Sequence, residues 1–147
     1  QDIYRIQVVE NTPVGTVVAT VRATDNDTGI KGEMKYRAVE LSNTTALTLV
    51  PGTADIATTM ELDFEAIGEK EFQLIVEAID GGAPTLTGTA TVVMTITDDN
   101  DNIPALNIAE ESEVHVVLSA PIGYEVIAIN ASDHDVSASF SNVTFSL

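Results

Sequence analysis

The chain contains no cysteine, so disulfide spacing says nothing about its compartment. A zinc site, which is built from His and Cys, would have only His115 and His134 to draw on. Long apolar runs are also missing. No stretch approaches the ~20 residues that a membrane-spanning helix needs, and no signal-peptide pattern opens the sequence. A leader and a membrane anchor would therefore belong to a longer parent. Basic residues are scarce: Arg5, Arg22, Lys31, Lys35, Arg37 and Lys70, with none after Lys70. Such a chain repels nucleic acid and anionic lipid. A long amphipathic helical pattern is absent as well.

Against those six bases stand 23 acidic residues, for a formal net charge of -17. That balance suits cations or basic partners. Hydrophobic content is 44%, enough to build a core. Four Asn-x-Ser/Thr sequons, at Asn26, Asn43, Asn130 and Asn142, are candidate glycosylation sites and lean toward a secretory route.

An internal repeat organises the chain. The segment from Thr12 to Asp27 aligns without a gap with the segment from Ala120 to Asp135, at an offset of about 108 residues. Pro13, Gly15, Val18, Val21, Ala23, Asp25 and Asp27 recur in kind as Pro121, Gly123, Val126, Ile129, Ala131, Asp133 and Asp135. Such a period is one domain, not a solenoid turn. Within it the pattern is β. Tyr4, Ile6 and Val8 alternate with polar residues, as do Phe72, Leu74, Val76 and Ala78. Val17, Ala19, Val21 and Ala23 form a third such set, and from Thr87 to Thr97 threonine alternates with Gly88, Ala90, Val92, Met94 and Ile96. A period of two sends one set inward and the other outward. Short β-branched runs punctuated by Gly, Pro and Asp imply a sandwich or barrel of about 100 residues. The polar stretch "TDDNDNIPAL" then reads as a partly stiff linker, because Pro104 resists continuing a ladder.

The acids gather at expected strand ends. Glu10 closes the first run. Asp63 and Glu65 lie in "LDFE", where i, i+2 spacing on an extended chain aims both to one side. Asp98, Asp99 and Asp101 interleave with Asn100 and Asn102, and Asp133 and Asp135 open a later turn. Two carboxylates ~4 Å apart repel by about 4 kcal/mol at an effective dielectric of 20. Either they spread into solvent or a cation collects them. Hard oxygens at short spacing suit calcium, with its 6–8 oxygen ligands, better than magnesium, which keeps its waters.

Glu10-Asn11, Asp25-Asn26-Asp27, "LDFE" from Leu62, "AID" from Ala78 and "DDNDN" from Asp98 follow one another in an order that resembles the extracellular cadherin repeat. The resemblance covers nearly the whole chain. It implies an all-β, seven-stranded Greek-key sandwich at residues 1–97, a calcium-binding linker at 98–104, and the first part of a second repeat at 105–147. It implies about three calcium ions at the linker. Their ligands would be Glu10, Asp63 and Glu65, then Asp101 and the Asn100 side chain with the carbonyls of Asp99 and Asn102, then Asp133 and Asp135 with the carbonyl of Asn142. Asp25, Asp27 and Asp80 would face the opposite end and serve a preceding linker, left empty here. The implied role is calcium-dependent adhesion or ectodomain stiffening at the cell surface, not catalysis. Its partners would be other repeats of the same chain and a homophilic or heterophilic cadherin, with membrane attachment through a segment outside this chain. The lack of Trp points away from strand-exchanging cadherins toward internal repeats of a long nonclassical or protocadherin-like protein. The alternative is an acidic module that docks a basic partner without metal.

Some residues depart from the pattern. Phe64 replaces the usual Arg, as a core or interface aromatic. Leu118 stands where repeat 1 has Glu10, so a following junction would bind fewer ions. "DTG" at Asp27 lacks the apolar residues before it and the second copy that an aspartic protease needs, and neither Asp-rich stretch completes an EF-hand. His115, between Val114 and Val116, should face solvent, and His134 should project from its turn.

Overall fold

A computed structural model describes residues 2–24, 34–39, 46–107 and 113–146, which are all-β. The chain divides into two compact units, one ending at Asp98 and one beginning at Asp99.

The first unit contains β1 (Asp2–Val9), β2 (Val17–Thr20), β3 (Lys35–Val39), β4 (Leu47–Leu49), β5 (Asp55–Thr58), β6 (Glu71–Ile79) and β7 (Thr87–Thr97). They form two sheets, β1-β7-β6-β3 and β2-β5-β4. Two open sheets make this a sandwich, not a barrel. β6 and β7 are antiparallel neighbours, with Glu71 opposite Thr95 and Ile79 opposite Thr87. β1 runs parallel to β7, with Asp2 opposite Ala90 and Val9 opposite Thr97.

The alternation expected from the sequence is realised on β6, where Phe72, Leu74, Val76 and Ala78 are buried between more exposed neighbours. On β7, Ala90, Val92, Met94 and Ile96 point inward. All of these side chains but Ala78 meet Val21, Leu47, Leu49, Ile56 and Leu62 in the core. Burial of such side chains stabilises by roughly 1.5–3 kcal/mol each.

β2 departs from the expectation. Its pairing with β5 shifts register between Val17 and Ala19. The extra residue breaks the period of two, so Val17 is exposed, whereas Val18 and Ala19 both pack against the core. The turn before β2 is docked by Thr58, whose hydroxyl donates to the Pro13 carbonyl at 2.9 Å while the Gly15 amide donates to the Thr58 carbonyl at 2.9 Å.

In the second unit, β8 (Ala105–Asn107) pairs antiparallel with β9 (Asn130–Ser132). The first part of a second repeat is expected here, but residues 113–129 carry no ladder. The segment equivalent to β1 would need its own counterpart of β7, and none follows β9 among the described residues. The repeat nevertheless shows in backbone geometry. Thr16 donates to the Pro13 carbonyl at 3.2 Å, and Tyr124 to the Pro121 carbonyl at 3.1 Å. Gly15 and Gly123 sit at φ of 85° and 87°, the left-handed conformation this kind of turn asks of its third residue.

Candidate metal centre

In the first unit, the chain after β1 turns at Asn11, which has a φ of 57°; Asn tolerates this left-handed region better than most residues. The Asn11 amide then donates to the Leu62 carbonyl at 2.8 Å. Leu62 is fully buried and anchors the "LDFE" segment in the core. The clip brings Glu10 against that segment, where its Oε2 accepts the Phe64 amide at 2.6 Å. Glu10 is only 1% exposed.

Asp63 and Glu65 do not lie on extended chain, as their spacing had suggested. The Ile67 amide donates to the Asp63 carbonyl at 3.0 Å and the Ala66 amide to Asp63 Oδ1 at 2.8 Å, which wraps the segment into a single turn. The local side chain-to-backbone bond outcompetes extension. Asp63 is therefore exposed and caps the turn, while Glu65 is directed to two other acids. Glu65 offers an oxygen within 4.8 Å of one on Glu10 and likewise of one on Asp98. Asp98 immediately follows β7. The sequence puts it in the acidic run without marking it as a ligand, and the geometry adds it to the candidate cluster, for which its place as first acid of "DDNDN" is the available signal.

Electrostatics reflect this crowding. Partial burial raises the Glu65 carboxyl above its ordinary value, the contact with Asp98 and the charges of Glu10 and Asp98 raise it further, and a backbone hydrogen bond opposes them. Glu65 Oε1 is buried and has no hydrogen-bond partner among the described residues.

Asp80 lies just beyond β6, at the end of that strand opposite to Glu71. The antiparallel register places it at the far pole from Glu10 and Asp98. It is 7% exposed, and its Oδ1 accepts the Gly82 and Leu86 amides at 3.2 and 2.8 Å. Asp25, Asp27, Asn26 and Asn43 lie outside the described residues.

The second unit carries its own acid cradle. Asp135 is 3% exposed. Its Oδ1 accepts the backbone amide and the side-chain amide of Asn102, at 3.1 and 2.9 Å. The same Asn102 side chain donates to Asp101 Oδ1 at 2.8 Å. The Asp135 amide donates to Asp133 Oδ1 at 3.0 Å, and the Asn100 amide to Asp99 Oδ1 at 3.0 Å. Asp135 Oδ2 is buried without a hydrogen-bond partner among the described residues. Asn142, Asn130, His115 and His134 are all exposed.

Each unit thus holds a buried carboxylate oxygen that no donor among the described residues satisfies. Such an atom is costly unless it is paired or coordinates a metal. Around Glu65 the neighbouring ligand atoms are the carboxylate oxygens of Glu10 and Asp98, hard oxygens of the kind that fits calcium.

The chain is also similar to known proteins. Residues 4–97 match the model of the cadherin domain. Human protocadherin gamma-A6 is 38% identical over 137 residues, which cover 92% of this chain and 14% of that protein. Human protocadherin gamma-A10 is 40% identical over 134 residues, covering 90% and 14%. The chain therefore spans about one seventh of the length of these relatives. Among solved structures, the protocadherin gammaB7 EC3-6 cis-dimer is similar with a TM-score of 0.71 at 34% identity, over 93% of this chain and 31% of that one.

Proposed function

The chain belongs to the cadherin family, and from that premise we propose that it is a calcium-dependent extracellular module of an adhesion protein, in which ions at the seam of two repeats stiffen the ectodomain. The observation that carries this is the unsatisfied buried oxygen of Glu65, held against Glu10 and Asp98. Asp98 and Asp99 are joined by one peptide bond, so the acid constellation of the first unit runs in sequence directly into that of the second.

The residues that would hold calcium are Glu10, Asp63, Glu65 and Asp98 of the first unit, and Asp99, Asn100, Asp101, Asn102, Asp133, Asp135 and Asn142 of the second. About three ions suit this number of oxygens. Bound calcium supplies the positive charge that lets these carboxylates stay ionised side by side. The chain's own part is to keep the oxygens in place. The Asn11–Leu62 clip fixes Glu10 and the turn at 63–67 directs Glu65, while Asn102 orients Asp135 and ties it to Asp101. Asp80, with Asp25 and Asp27, would serve a junction with a preceding repeat. The partners are neighbouring repeats and another cadherin, homophilic or heterophilic, at the cell surface. Attachment to the membrane would come from a part of the protein outside this chain.

Extracellular calcium modules work at dissociation constants of about 10⁻⁴–10⁻³ M. Small-angle scattering on a fragment with a complete second repeat tests the reading. The fragment should be extended in millimolar calcium and more compact or more variable in chelator. Identical scattering in both would sink it. Partner binding that is strongly salt-sensitive and indifferent to calcium would instead favour the metal-independent acidic module.

A further inference from the structure

We propose that Phe64 holds the Lys70 ammonium away from the carboxylates of the Asp63–Glu65 turn, so that these oxygens stay available to a divalent cation. The inference rests on the calcium reading above and assigns a positioning role to two residues outside the ligand set.

Lys70 is the last basic residue of the chain. Its backbone is fixed beside the end of β7, because the Ile96 amide donates to the Lys70 carbonyl at 2.8 Å, only two residues before Asp98. An ammonium on a flexible stem at that point is well placed to neutralise a crowded acid. The structure shows another arrangement. Lys70 Nζ sits 4.0 Å from the centroid of the Phe64 ring and donates to the Ile67 carbonyl. It makes no ion pair with Asp63 or Glu65 among the described residues. The ring that holds it is itself fixed, by its packing on the core and by the Phe64 amide bond to Glu10.

The physical logic is competition. An internal ammonium paired with Glu65 would satisfy that carboxylate and would have to be displaced by an incoming dication. The negative face of an aromatic ring offers the ammonium a different electrostatic minimum. The carbonyl of Ile67 completes it. Phe64 occupies the one position between the two acids, where its ring can draw the charge off without adding a charge of its own.

A double-mutant cycle on the full chain, read by calorimetric calcium titration, tests the idea. Phe64→Leu keeps an apolar side chain of similar character but removes the π face. It should weaken calcium binding about two- to fivefold, the scale of one exposed ion pair. Lys70→Met, which removes the competitor, should bind within about twofold of the wild type. The double variant should recover the affinity of Lys70→Met. If the double variant binds as weakly as Phe64→Leu, the ring acts through packing alone and the proposal is wrong. If the wild type binds no calcium, the seam reading fails, and this inference with it. A calcium-free readout guards against a variant that folds poorly. In chelator, the Lys70 ε-methylene protons of the wild type should show an upfield ring-current shift by NMR. Resonances at ordinary positions would overturn the geometry on which the proposal stands.

Discussion

Replacing Glu65 with glutamine should make the chain more stable without calcium and less stable with it. Oxygens of Glu65 and Glu10 lie within 4.8 Å of each other. At that distance two charges repel by about 3.5 kcal/mol at an effective dielectric of 20. Glu65 is partly solvated, and screening reduces this to about 1 kcal/mol. Glu65→Gln removes the repulsion and keeps the shape, so in chelator the melting temperature should rise by about 4–8 °C. Calcium reverses the order. For dissociation constants of about 10⁻³–10⁻⁴ M, 10 mM calcium stabilises the wild type by about 1.4–2.7 kcal/mol. The variant, with a neutral and weaker ligand, should lose most of that gain. Thermal melts followed by circular dichroism, in chelator and in 10 mM calcium, should therefore cross. A variant less stable than the wild type in both conditions would refute the account, because Glu65 would then act as an ordinary structural carboxylate.

Two further outcomes follow from the same description. Asp101→Ala should abolish the calcium-induced rise in melting temperature while changing the melt in chelator little, since Asp101 is exposed; an undiminished rise would remove it from the ligand set. Leu74→Ala, at a position 1% exposed between the sheets, should destabilise the first unit by about 2–5 kcal/mol in urea unfolding; a loss below ~1 kcal/mol would mean that the core is not packed as described.

The parts of the fold that could be read in advance are those where one rule acts alone. β6 and β7 lie in the middle of their sheet, and alternation between core and outer face set the pattern of β6 and most of β7, where Val93 is buried out of turn. β2 obeyed two rules at once, and the register shift at Val17–Ala19 that seats it on β5 turned Val17 outward. The acids of the candidate site were visible as a set, because clustering without bases is a property of composition. Their roles were less visible. Asp63 and Glu65 looked equivalent on an extended segment, but the Asp63 cap on Ala66 curls the chain and separates them. Asp98 gained its place from the end of β7, which only the sheet register defines. The Lys70–Phe64 contact spans six positions across a turn and leaves no periodic trace.

The parallel pairing of the first and last strands has a mechanical meaning. Because β1 and β7 run in the same direction, the polypeptide enters the first unit at one pole and leaves it at the other. Tension along the molecule then slides these two strands past each other lengthwise. Every rung of their ladder, from Asp2 beside Ala90 to Val9 beside Thr97, shares the load at once. An antiparallel closure would peel open rung by rung. A unit pulled from its two ends gains tensile strength from its topology alone, whatever stiffness its ends acquire.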